Sequence, residues 1–199
     1  LNEVASHCLK AGAPSAEVCA VDVTDIALFR ERLKALLAKL GDVEIFVANA
    51  GIGDTVPPTQ DGSEHAIRMV DLNIKAAFVG IETMKPHFVA RRGGVIAGLS
   101  SVAGFRGLPQ AGIYSATKAA LAVYLESLRG DLSPYGVRVS TITPGFIGTA
   151  LNQRAGKLPF LMNVDKAGEV FARGVVRGKC YITAPWQFIP VTWLLKFVP

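Results

Sequence analysis

The period of apolar positions changes repeatedly along the chain, and each change marks an element. EVCAVDV (Glu17 to Val23) alternates like a strand; after Thr24 or Asp25 as N-cap, IALFRERLKALLAKL carries apolar residues at helical spacing until Gly41. EIFVANAG (Glu44 to Gly51) is a short apolar run that ends in a glycine-bearing loop and predicts a strand buried on both faces. SEHAIRMVDLNIKAAFVGIETMKPHFVARR predicts one long helix, bent near Pro86. GVIAGLSS (Gly94 to Ser101) predicts a third strand, followed by a helix opened by Tyr114, and VRVSTITPG (Val137 to Gly145) a fourth. A helix around Val164 to Arg177 and a last strand, CYITAPW, complete the series. Strands alternating with helices predict an α/β fold: a doubly wound parallel sheet, right-handed crossovers and helices on both faces.

Composition narrows this picture. Half of the 199 residues are hydrophobic and 19% are charged, which suits a single domain over 1–199. No apolar run reaches the roughly 18 residues of a membrane span. Cys8, Cys19 and Cys180 are scattered and odd in number, as expected of thiols in a reducing, cytoplasmic compartment. The histidines, His7, His65 and His87, have no ligand spacing, so no metal is expected. Residues 1–150 are balanced in charge. The excess of +5 comes from Arg154, Lys157, Lys166, Arg173, Arg177, Lys179 and Lys196 against Asp165 and Glu169. These cations are dispersed, which argues against a nucleic-acid partner.

Candidate chemistry begins at GIYSATKAALAVY, Gly112 to Tyr124. Tyr114 and Lys118 stand four residues apart and share a helix face, while Leu121 and Leu125 pack elsewhere. An ammonium beside a phenol favours its ionised form and would make Tyr114 an acid and base near neutral pH. Parallel sheets bind ligands at the carboxyl ends of their strands. Asn49, Ser101 and Pro144-Gly145 all fall at or just past such ends, on the edge where Tyr114 begins its helix.

With VDVTD at 21–25, ANAG at 48–51, Asn73 within DLNIKAAF, SSVAG at 100–104, YSATK at 114–118 and PGFIGT at 144–149, the chain resembles a short-chain dehydrogenase/reductase with a YxxxK active site. The resemblance implies a Rossmann-like domain and reversible hydride transfer between NAD or NADP and a secondary alcohol or ketone. It makes Tyr114 the acid/base and Ser101 the hydrogen-bond donor to the substrate oxygen, with Ser100 its inert neighbour. Lys118 lowers the tyrosine pKa and binds the ribose. Asn73 interrupts its helix and holds a water linking Lys118 to solvent. Asp22 and Val23 would meet the adenine, and Asn49, Ala50 and Gly51 would border the ribose. Past Pro144 and Gly145, Ile147 and Thr149 would hold the carboxamide. The closing ITAPWQF is similar to a lipophilic-substrate branch of the family.

The same resemblance calls for a glycine-rich TGxxxGxG turn for the pyrophosphate, and this sequence has none. Its first residues, LNEVASHCLKAGA, are similar to the family's second helix. A strand–helix–strand unit of roughly 40 residues is therefore expected ahead of Leu1, placed between the strands at Val18 and Ile45. The runner-up reading is a truncated, non-catalytic module serving dimerisation or interaction.

Three further expectations concern surfaces. The substrate-loop segment 148–163 holds Leu151, Leu158, Pro159, Phe160, Leu161 and Met162 and suggests a lipophilic substrate. Ala119, Ala122, Val123 and Leu128 give the helix after Tyr114 surplus apolar surface, which with the helix around Asn73 predicts a homodimer or homotetramer. The tail 186–199, PWQFIPVTWLLKFVP from Pro185, is too short to span a bilayer, and Pro190 is expected to confine any helix to the residues after it. It is expected to cover a neighbouring subunit or the substrate cleft, ahead of peripheral membrane contact.

Overall fold

The computed structural model describes residues 1–53, 55–149 and 158–195. Four strands, β1 (Ile45–Ala48), β2 (Val95–Leu99), β3 (Arg138–Pro144) and β4 (Tyr181–Ala184), form one parallel sheet in the order β1-β2-β3-β4. The register pairs Ile45 with Val95, Val95 with Arg138 and Thr141 with Tyr181, so all four carboxyl ends reach one edge. Each crossover carries helix: α3 (Ser63–Val70) and α4 (Ala77–Arg91), then α5 (Gly112–Leu132), then α6 (Val164–Val176). α1 (Asn2–Lys10) and α2 (Ile26–Leu40) precede the sheet, and α7 (Phe188–Leu195) follows it.

Both faces of β2 and β3 are covered, whereas β1, expected to be buried on both faces, is covered on one only and leaves Ile45 37% and Val47 43% exposed on the other. On one face Ile81, Met84 and Phe88 of α4 and Leu121, Leu125 and Leu128 of α5 pack on Ile96 and Val139. On the other, Phe171 and Val175 of α6 meet Val95, Ala97, Ile142 and Ile182. The α5 helix lies so close to β2 that a Cβ at Gly98 would stand 2.6 Å from Leu125 Cδ1. Local signals place the helix ends: the Asp25 carboxylate accepts from Leu28 N at 3.1 Å and opens α2, and Asn163 accepts from Asp165 N and Lys166 N and opens α6.

Several expectations need correction. Residues 17–23 form no strand. Alternation alone makes no ladder, and among the described residues nothing pairs with the outer side of β1, where Val47 is 43% exposed. The long helix from Ser63 is continuous but passes through a π-helical stretch, Asp71–Ala76. α5 opens at Gly112, two residues before Tyr114. Leu128 is core, not surplus surface, whereas Val123 on the same helix is 67% exposed. α7 begins two residues ahead of Pro190, because a proline in the first turn forfeits only an N–H that has no helical partner.

Candidate active site

Three elements deliver the polar groups to the carboxyl edge. β2 ends at Leu99 and the chain turns into a 3-10 segment, Val102–Phe105, whose N-cap is Ser101. The Ser101 Oγ accepts from Ala103 N at 3.1 Å and faces the Pro144 carbonyl at 3.5 Å. The first turns of α5 present Tyr114 and Lys118, and the Lys118 Nζ donates to the Leu99 carbonyl at 2.7 Å. Gly104 packs on the α5 backbone, its absent Cβ only 3.0 Å from the carbonyl carbon of Lys118, so the serine-bearing turn and the helix are in van der Waals register.

Asn73 supplies the second layer. Its Oδ1 accepts from Ile52 N at 2.8 Å, and its Nδ2 donates to the Ile52 carbonyl at 2.9 Å and to Thr117 Oγ1 at 3.0 Å. The π-helical stretch turns this side chain out of the helix and towards the loop after β1, a common use of such bulges. Gly51 lies between the two polar residues: a Cβ there would stand 3.1 Å from Asn73 Oδ1 and 3.2 Å from Lys118 Nζ. Glycine is what permits that approach.

These groups border one cavity of about 420 Å³. Asn49, Gly51, Ser101, Tyr114, Lys118, Pro144, Gly145, Ile147 and Thr149 line it, together with apolar Leu99, Val102, Leu108, Phe146, Val164 and Phe171. Four expected positions stand elsewhere. Asn73 is buried behind Gly51. Val23 and Ala50 border a separate hollow of about 200 Å³, which shares Asn49 with the main cavity. Asp22 is exposed, its carboxylate taken by Thr24 N and Oγ1 at 2.9 and 2.8 Å, hydrogen bonds that hold its pKa below the ordinary carboxylate value. Of the substrate-loop residues, Leu151 falls outside the described residues, and Leu158, Pro159, Phe160, Leu161 and Met162 are not among those that line the cavity.

The electrostatics differ from expectation. Burial raises the Tyr114 pKa, and the facing Ser101 hydroxyl only pulls it back in part. Lys118, 5.7 Å from the Tyr114 ring centroid, is itself pushed down to about 8 by burial. Desolvation therefore outweighs the ammonium's influence on the phenol, and Tyr114 is held protonated at neutral pH.

Two residues with structural roles here were missed. Ser100 is not idle: its buried Oγ donates to the Lys118 carbonyl at 2.8 Å and ties α5 to the end of β2. Thr117 is fully buried, accepts from Asn73 and donates to the Tyr114 carbonyl at 2.8 Å. The sequence signal for both was a hydroxyl beside a candidate residue on an element with two covered faces, where one of two neighbours has to point inward.

A family model described as short chain dehydrogenase matches residues 1–158. The chain belongs to the short-chain dehydrogenase family. Members of this family are NAD(P)-dependent oxidoreductases, and the four-stranded parallel sheet with helices on both faces is their Rossmann-like fold. An uncharacterized oxidoreductase of Myxococcus xanthus is 38% identical over 191 residues, covering 96% of this chain and 76% of its own length. An 11-beta-hydroxysteroid dehydrogenase-like protein of Arabidopsis thaliana, 4A, is 28% identical over all of this chain and 69% of its own. Among solved structures, a short-chain dehydrogenase from Sphingobium yanoikuyae in complex with NADPH superposes with a TM-score of 0.82 at 27% identity, over 97% of this chain and 76% of that one.

Proposed function

We propose that the protein interconverts a lipophilic ketone and its secondary alcohol, using NAD or NADP, with Ser101, Tyr114 and Lys118 as the groups that touch the reactants. The observation that carries this reading is the convergence of those three side chains on one cavity whose remaining walls are mostly apolar. The residues present suit the nicotinamide half of a dinucleotide. Gly51 has no side chain to crowd Lys118 Nζ, and Ile147 and Thr149 line the same cavity. A bound nicotinamide supplies or accepts the hydride at the substrate carbon.

The chain's own residues handle the oxygen. The Ser101 hydroxyl donates to the carbonyl oxygen and polarises it, and Tyr114 Oη gives it the proton. The raised pKa keeps Tyr114 in its donor form. Lys118, whose Nζ now donates to the Leu99 carbonyl, would hold the ribose hydroxyls, and Asn73 holds the Ile52 loop that brings Gly51 against it. The Leu99, Val102, Leu108 and Phe171 side chains exclude water and match an apolar substrate. Asp22 and Val23 remain the proposed contacts for the adenine.

The protein is proposed to work in the cytoplasm as a homodimer or homotetramer, joined through α3 and α5, where Ile67, Val70 and Val123 leave apolar surface exposed. Among the described residues no helix is long and apolar enough to cross a membrane. The test is transfer of label from 4-deuterated NADH or NADPH to ketones of graded polarity. Deuterium on the carbinol carbon of an aromatic or steroid-like ketone is the expected product, and preferential turnover of small polar sugars would rule the substrate class out. A truncated, non-catalytic module would transfer no label to any of them.

A further inference from the structure

Gly145 and Phe146 form one wall of the cavity, and what stands behind them is the first residue of α7. The Phe188 ring lies flat against Gly145: a Cβ at that glycine would sit 2.3 Å from Phe188 Cδ2 and 2.4 Å from Cε2. The same ring meets two others nearly at right angles, Phe146 at 5.7 Å and Phe160 at 5.7 Å between centroids. Phe188 is 7% exposed, whereas Phe160 is 51% exposed and holds its backbone at a φ of +55°.

Backbone bonds make this junction stiff. Gly145 N donates to the Ala184 carbonyl at 2.8 Å, which carries the β3–β4 ladder up to the start of the tail. Met162 N donates to the Phe146 carbonyl and Gly148 N to the Met162 carbonyl, both at 2.9 Å, so the segment that bears Phe160 is stitched to the wall. α7 also packs on the 3-10 turn that follows Ser101. One ring thus backs the wall beside Pro144 and joins it to the segment at 160–162.

We infer that Phe188 is a positioning residue for substrate size: it touches no reactant, and it fixes the distance between Phe146 and the Ser101–Tyr114 pair. This rests on the proposed ketone chemistry. An edge-on ring at van der Waals contact leaves Phe146 no free volume to swing into, so the chamber keeps one width. Removing the ring opens a void on the far side of Phe146. The wall then yields to bulky groups and grips small ones poorly.

The experiment compares wild type, Phe188→Leu and Phe188→Ala on a small methyl ketone and a bulky diaryl ketone. Cofactor affinity is measured alongside by calorimetry. The ratio of kcat/KM for the bulky to the small ketone is expected to rise about tenfold in Phe188→Ala and several-fold in Phe188→Leu, chiefly through KM for the small ketone, with cofactor Kd within a factor of two of wild type. Phe188→Leu keeps most of the buried volume and is the informative variant if Phe188→Ala fails to fold. An unchanged ratio in Phe188→Leu, with both substrates slowed equally or not at all, overturns the inference and reduces Phe188 to core packing. If wild type itself reduces neither ketone, the proposed function fails instead.

Discussion

Replacing Lys118 by Met should stabilise the protein at neutral pH while removing its activity. Burial pushes the lysine pKa from 10.5 down to about 8, and at about 1.36 kcal/mol per pH unit this difference is a penalty of about 3 kcal/mol for keeping the ammonium folded at pH 7. Methionine matches the stem and carries no charge, but it leaves the Leu99 carbonyl without the donor now at 2.7 Å, a loss of about 1–2 kcal/mol. The net gain is about 1–2 kcal/mol at pH 7. The sign with pH follows from the lowered folded pKa. Between about 8 and 10.5 the unfolded chain binds a proton that the folded chain lacks, so wild-type stability rises through this window relative to the variant. Above it lysine is neutral in both states, the penalty is gone, and the variant keeps only the loss at Leu99. Urea unfolding of both proteins at pH 7 and pH 10 measures this directly. A variant no more stable than wild type at pH 7, or an offset that does not shrink by pH 10, refutes the reasoning.

Other outcomes follow from the same geometry. Asn73→Ala removes both partners of the Ile52 amide and carbonyl, and should cost about 1–3 kcal/mol in denaturant unfolding and speed hydrogen exchange at Ile52. Gly98→Ala drives a Cβ to 2.6 Å from the fully buried Leu125 and should lower stability by about 1–3 kcal/mol, read from the thermal midpoint; an unchanged midpoint would show that α5 can move off the sheet. In the cofactor-free protein, the difference in phenolate absorbance between wild type and Tyr114→Phe should develop only above pH 10, since burial raises this phenol; a midpoint below 10 contradicts that. Val123→Glu should shift the sedimenting species to monomer, and a wild type already monomeric at micromolar concentration would remove α5 as an interface.

Much of this architecture was legible where period and burial agree. The runs that became β2 and β3 are apolar on both faces and lie under two layers of helix, whereas β1, equally apolar, leaves Ile45 and Val47 exposed. The edge rule then placed Ser101, Tyr114, Lys118, Asn49 and Gly145 around one cavity before any contact was known. What stayed hidden depends on partners. Residues 17–23 have strand alternation but, among the described residues, no strand to ladder with. Leu128 was counted as surface because a helical wheel does not say how far the sheet wraps around α5, and Val139 turned out to face it. The Tyr114 pKa followed burial and not its charged neighbour, a balance of desolvation against distance that spacing does not encode. Phe188 gave only an aromatic in an apolar tail. Its contact with Gly145 is a tertiary fact, made possible because a glycine after Pro144 leaves a flat place for a ring.

Tyr114 is proposed to hand the proton to the substrate oxygen in a cavity that binds the nicotinamide independently of that hydroxyl. Single-turnover reduction of a lipophilic ketone by Tyr114→Phe, with cofactor affinity measured on the same sample, tests it most directly. The expected rate is lower by a factor of about 10² to 10⁴ with cofactor affinity nearly unchanged, because the ring packing and Lys118 remain. Retention of more than roughly a tenth of the rate, well above what loss of a positioned acid allows, would show that another group supplies the proton.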